Sequence, residues 1–319
     1  MKLREVRRFL WALAAAAVVL VIVVLRVAGS DHAPASVASE AAAQAVPARQ
    51  GIVARLATPA ASPRKRLTSA CRQASDLPAA RINGASLPTL AWSPFGRAEI
   101  GWEIYLPLIQ REIGAFCSAD SAAFADALAA WQRSHRLPSD GIMSQATFAI
   151  MLVDIELRRD FVRLTRDGHC PDAHPLVIET HRDEGYAGKP ALMRAGTLGA
   201  YRRMVATARS EIPEIAADPR NLTIFSAYRR PDAEAARCAA NGDCDGVARA
   251  RCSAHRTGLA VDIYMGQAPG FGPDSAADAN RLFISRGATY RWLVGNAALF
   301  GFVPYPYEPW HWEWTGEAP

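Results

Sequence analysis

The sequence has no C-x-x-C pair, no internal repeat and no large excess of charge of either sign. Without C-x-x-C spacing, the six cysteines do not read as a cysteine zinc site. The formal charge is +5, but Lys2, Arg4, Arg7 and Arg8 against Glu5 put three of those charges in the first eight residues, leaving about +2 for the rest. That balance makes no case for nucleic acid as a partner. One long run lacks charge altogether: Phe9 to Leu25 follows the basic cluster with no polar face, so it does not read as a buried soluble helix.

That run is long for a signal-peptide core and slightly short for a membrane span, which Val27 and Ala28 can extend with Arg26 snorkelling. Residues 1–30 are therefore expected to be a signal-anchor in the inner (cytoplasmic) membrane or a signal peptide cut near Ala28, with the uncleaved anchor favoured. Positive charge ahead of the run keeps that end cytoplasmic, so the remainder should face the periplasm or other extracytoplasmic side of the cell envelope. Six cysteines suit such an oxidising compartment. Pairing within modules joins Cys71 to Cys117; among the downstream four, Cys238 with Cys244 and Cys170 with Cys252 is the favoured arrangement.

Residues 31–66 are rich in Ala, Pro and Ser with no amphipathic period, and read as a disordered tether. Residues 67–160 read as a helical module. Within it Phe124, Leu128 and Trp131 recur at helical spacing, "LPSDG" supplies a turn, and Ser144 can cap a second helix carrying Phe148, Ile150 and Leu152. The stretch "LAWSPFGRAEIGWEIYLPLIQREIGAFC" is expected to be helix that completes the module. Residues 161–319 read as an α+β domain around a small antiparallel sheet. Its expected elements are helices over Leu198–Ile212, from Pro231 through Cys238, and over Tyr290–Phe300, with strands over Asn221–Tyr228, Gly258–Met265 and Pro309–Thr315.

The chemistry concentrates in two of those strands. "YEPWHWEW" puts Trp310, Trp312 and Trp314 on one face and His311 and Glu313 on the other. In "CSAHRTGLAVD", Gly258, Ala260 and Asp262 share a face, and the turn before them can bring His255 back toward Asp262. His255, Asp262 and His311 make a three-ligand set suited to zinc, with a fourth position for water. Such a site hydrolyses, and it needs a general base. Glu308 is the candidate, brought to the metal face by Pro309; Glu313 is a rival on the same face, read instead as orienting a ligand or pairing with an arginine. The loop cluster His169, His174 and His181 is a competing metal site with poorer spacing.

Two resemblances follow from these residues. Trp131-Gln132, Leu137, Asp140-Gly141 and Thr147 resemble the pattern of the small peptidoglycan-binding module of cell-wall enzymes, over about 35 residues. The same periodicity fits a plain helical hairpin with a core tryptophan. "SAYRR", "SAHRTGLAVD", "RWLVGNAALFGF" and "EPWHWEW" together resemble the zinc D-Ala-D-Ala carboxypeptidase family, the vancomycin-resistance type D,D-carboxypeptidases and their endopeptidase relatives. The resemblance implies Zn2+ held by His255, Asp262 and His311, Glu308 as catalytic base, and Arg229 and Ser253 in contact with substrate. It implies a peptidase acting on peptidoglycan stem peptides in the cell wall, removing a terminal D-Ala. A cross-link endopeptidase and a non-catalytic wall-binding protein are the alternatives. The insert "RCAANGDCDGVARARC" and the short linker before "EPWHW" depart from the family pattern and flank the cleft.

Overall fold

The computed structural model describes Cys71 and residues 76–319, apart from 242–243, 245, 248–249 and 251. The expected anchor and tether lie outside the described residues, and no described helix is long and apolar enough to cross a membrane.

The upstream part begins with α1 (Pro78–Ser86), whose proline occupies the first turn, where a missing N–H costs nothing. The next stretch, expected as helix, instead opens with a two-stranded antiparallel hairpin, β1 (Ala91–Trp92) and β2 (Glu99–Ile100). The "SPFG" sequence closes a turn there, with the Gly96 N–H donating to the Ser93 carbonyl at 3.2 Å. Pro94 and a left-handed Gly96 interrupt helix before its period can start. Helix resumes with α2 (Leu106–Glu112).

Helices α3 (Ala122–Ser134) and α4 (Gln145–Glu156) form the expected hairpin, each capped by a serine. Ser121 Oγ accepts from the Phe124 N–H at 3.2 Å and Ser144 Oγ from the Thr147 N–H at 3.1 Å. The motif residues hold this hairpin together. Gln132 Nε2 donates to Asp140 Oδ1 at 3.0 Å and to the Ile142 carbonyl at 3.1 Å, while its Oε1 accepts from the Gly141 N–H at 2.8 Å. Asn83 of α1 closes the same turn, bonding the Gly141 carbonyl and the Met143 N–H, each at 2.8 Å. Phe124, Leu128, Phe148 and Met151 pack beneath, with Trp131 at the edge. After α4 the chain bends at Arg159 into α5 (Asp160–Thr165).

Downstream, β3 (Ile178–Glu179) and β4 (Leu192–Met193) pair antiparallel and lead into α6 (Ala195–Glu211). This helix stops at Ile212, which Pro213 holds extended at the start of α7 (Pro213–Ala217). The principal sheet is four-stranded and antiparallel in the order β5 (Ile224–Ser226), β6 (Ala260–Ile263), β8 (His311–Trp314), β7 (Phe302–Pro304). The strands are shorter than expected. Leu222 sits in the left-handed region, and the Tyr228 N–H bonds to the Leu192 carbonyl instead of the ladder. α8 (Pro231–Asn241) follows β5, while α9 (Asp278–Arg286) and α10 (Ala288–Asn296) precede β7. Where one helix was expected to run on to Phe300, a 3-10 turn over Ala297–Phe300 intervenes and ends at left-handed Gly301.

The apolar face of the sheet is filled by Val261, Ile263, Phe302, Trp310 and Trp312 against α6 and α10. Gly196 lets α6 approach this layer closely, since a Cβ there would lie 2.5 Å from the Trp314 ring. Leu108 and Ile155 from the upstream helices belong to the same core. Arg281 of α9, wholly buried, bonds Glu99 at 3.1 Å, the Tyr105 hydroxyl at 2.5 Å and the Tyr307 carbonyl at 2.9 Å. The described upstream and downstream residues thus fall within one compact unit. The expected disulfides are the ones present: Cys71 with Cys117, Cys170 with Cys252 and Cys238 with Cys244.

Candidate metal centre

The polar face of the principal sheet carries the site. In the β6 and β8 register Asp262 lies opposite His311 and Ala260 opposite Glu313, so the alternation that sends the tryptophans to the core sends these four to the other side. His255 arrives from a 3-10 turn over Ala254–Thr257, which ends at Gly258 with φ +70. Only a residue tolerant of that conformation can reverse the chain into β6, and a Cβ at Gly258 would also press on Val177 and Arg194 at 3.2 Å.

The three side chains are buried together. One ligand atom from each of His255, Asp262 and His311 lies within 4.8 Å of the other two, the one such group of three among the described residues. His255 donates Nδ1–H to the Ala227 carbonyl at 2.6 Å, which turns Nε2 inward. That Nε2 is 3.2 Å from Asp262 Oδ2 yet makes no hydrogen bond. A buried ring nitrogen left so is costly unless something else meets its lone pair. His311 presents Nδ1 to Asp262 Oδ1 at 3.0 Å and Nε2 to Glu313 Oε1 at 3.1 Å. Both rings therefore have one nitrogen tied to a protein oxygen and the other facing Asp262, the arrangement of a metal-ligating imidazole with its supporting acceptor.

Electrostatics agree with this reading. Burial, helped by nearby Arg229, lowers the His255 pKa to about 4, so its ring is neutral with a lone pair to give. For His311, burial pulls down, but the hydrogen bonds to Asp262 and Glu313 outweigh it and raise the pKa to about 9. Burial alone would raise Asp262; its two histidine neighbours, His255 close by and His311 at 3.0 Å, hold it well below the usual carboxylate range. The pocket between the three favours a cation, and a metal ion bound there would displace the Nδ1 proton of His311.

Above this floor lies a cleft of about 610 Å³, lined by Arg229, Ser253, Glu308 and Tyr305 among others. Glu308 is nearly buried just before β8, in a turn closed by the His311 N–H donating to its carbonyl at 2.9 Å. Arg229 follows β5, and burial lowers its pKa; its Nε is buried without a hydrogen-bond partner. Ser253 caps the His255 turn, its Oγ accepting from the His255 N–H at 3.3 Å. The competing histidines are not gathered. His169 Nδ1 lies 3.3 Å from Asp167, His174 bonds within its own loop, and His181 begins a separate 3-10 turn.

Sequence reasoning missed the other wall of the cleft. Phe95, Leu152, Glu156, Arg159 and Phe161 line it, all from the upstream segment or its end. Arg159 bonds Glu313 Oε1 through Nε at 2.9 Å and Nη2 at 2.5 Å. Nothing in "ELRRDF" distinguishes this arginine from its neighbours.

A buried His, Asp, His set beside a carboxylate in a cleft defines a candidate metal-dependent hydrolase. Residues 192–317 match the VanY family model, described as D-alanyl-D-alanine carboxypeptidase. The match begins downstream of the helical hairpin. No curated protein matches the chain.

Proposed function

We propose that the protein is a zinc-dependent peptidase of the cell envelope that hydrolyses peptidoglycan stem peptides, acting as a D,D-carboxypeptidase that removes terminal D-Ala. The observation that carries the reading is the orphaned, buried Nε2 of His255 facing Asp262 and His311 in a segment that matches the VanY family model. Zinc held by these three residues supplies Lewis acidity, polarising a substrate carbonyl and making water more acidic.

The chain's own residues supply the rest. Glu308 accepts the proton of the attacking water and returns it to the leaving amine. Arg229 meets the free carboxylate of the substrate, where its planar fork suits a two-oxygen partner and its unpaired buried Nε gains a bond. Ser253 fixes the His255 turn at the cleft wall, within reach of a bound peptide. The disulfides suit an exported protein; anchoring through residues 1–30 is part of the proposal.

The test is cleavage of purified stem peptides with a free or an amidated carboxyl terminus, with products identified by mass. Chelation should abolish release of D-Ala, zinc should restore it, and amidation should remove most of the rate. Full activity in a protein shown to be metal-free refutes the zinc assignment. Equal cleavage of both peptides refutes the carboxypeptidase reading and favours an endopeptidase.

A further inference from the structure

The bend between α4 and α5 places Arg159 in a position its sequence does not advertise. Its side chain is buried, with Nε and Nη2 on Glu313 Oε1, Nη1 on Glu156 Oε2 at 2.5 Å, and the guanidinium carbon 4.4 Å from the centre of the Tyr305 ring. The oxygen it grips, Glu313 Oε1, is the same one that faces His311 Nε2 at 3.1 Å. A chain of contacts therefore runs from the end of the upstream helices, through Arg159 and Glu313, to the imidazole whose other nitrogen faces Asp262.

We infer that Arg159 is a positioning residue for the metal centre: by clamping Glu313 it fixes the ring orientation and tautomer of His311, which makes the upstream helical segment a working part of the catalytic domain.

A carboxylate that supports a metal-bound histidine must itself be held, or it swings away and leaves the ring free to turn. Glu313 sits on a strand where Ala260 opposite and Val303 beside it offer no polar contact from their side chains. Arg159 supplies two donors to one oxygen and is itself held by Glu156 and Tyr305, so the geometry is over-determined. With Nε2–H committed to Glu313, the His311 lone pair is left on Nδ1, the nitrogen facing Asp262.

The inference rests on the zinc reading above, and the experiment separates the two. Zinc affinity of the full-length protein is measured by competition with a chelating dye for the wild type, Arg159→Gln, Arg159→Lys, Glu313→Gln and the double variant Arg159→Gln/Glu313→Gln. Thermal midpoints of the metal-free forms are measured alongside. Arg286→Gln serves as a control, because exposed Arg286 joins the same two parts through half-buried Glu103 at 2.6 Å, away from the cleft. Arg159→Gln and Glu313→Gln should each weaken zinc binding by about 10–100-fold, and the double variant should be no weaker than the worse single one. Arg286→Gln should bind zinc as the wild type does. Proton NMR of the zinc-loaded protein should show the His311 Nε2–H far downfield in the wild type, where Glu313 is held against it, and moved upfield in Arg159→Gln. Should Arg159→Gln fail to fold, Arg159→Lys carries the test, with a smaller loss expected because lysine keeps the charge but not the fork. A wild type that binds no zinc refutes the zinc reading. A wild type that binds zinc beside an Arg159 variant of equal affinity, or losses that add in the double variant, overturns the positioning role.

Discussion

In the hairpin of α3 and α4, Gln132 has both ends of its amide bonded inside the fold, whereas in the cleft His255 Nε2 and Arg229 Nε are buried with no hydrogen-bond partner. The two regions bury polar groups for opposite reasons. A closed network satisfies itself and specifies one loop conformation, so it has nothing left for a ligand. Unsatisfied buried donors and acceptors persist where something from outside completes them. On this contrast, Gln132, Asp140 and Gly141 keep a turn in shape, and the buried groups left open to a ligand lie in the cleft.

The largest effect is expected at Glu308. Glu308→Gln should lower turnover by about 100-fold or more while zinc content stays stoichiometric, because an amide cannot accept the proton of the attacking water. Glu313→Gln should cost less turnover. The larger loss at Glu313 would exchange their roles.

Gln132→Leu should do the reverse in the hairpin. It strands the buried Gly141 N–H, so stability to denaturant should fall by about 1–3 kcal/mol. Cleavage per folded molecule should be unchanged. A loss of activity below the unfolding transition would mean that the hairpin's polar network is not closed on itself.

The smallest effect is a pH dependence. Burial would raise the Glu313 pKa, but the charge of Arg159 outweighs it and lowers the pKa to about 2 from the ordinary 4.5. A depressed carboxylate contributes stability that is complete above its unfolded value and disappears as pH falls through its folded value. The metal-free wild type should therefore lose stability relative to Glu313→Gln between pH 4.5 and about 2. Parallel denaturation midpoints across that window would show that Arg159 does not hold Glu313 in the ionised form.

Much of the site was legible because it is written in local periods. Alternation through "WHWEW" separates a core face from a site face with no knowledge of the rest of the fold, and β8 follows it. The glycine after "HRT" marks the reversal that returns His255 to Asp262. Element ends were less legible: Pro213, the left-handed Leu222 and the "SPFG" turn each override the pattern around them. The expected helix through β1 and β2 failed for that reason.

The sequence by itself determined the face on which Asp262 and His311 stand and narrowed the cysteines to three pairings with one favoured, since period and proximity act over a few residues or within one module. Only the tertiary structure decided what surrounds that face. The Ala227 carbonyl that orients His255 comes from 28 residues upstream, and the guanidinium that clamps Glu313 comes from 154 residues away. Such contacts follow from how the upstream helices pack on the sheet through Leu108, Ile155 and the buried Arg281. Packing depends on the summed shape of distant surfaces, and no local spacing records it.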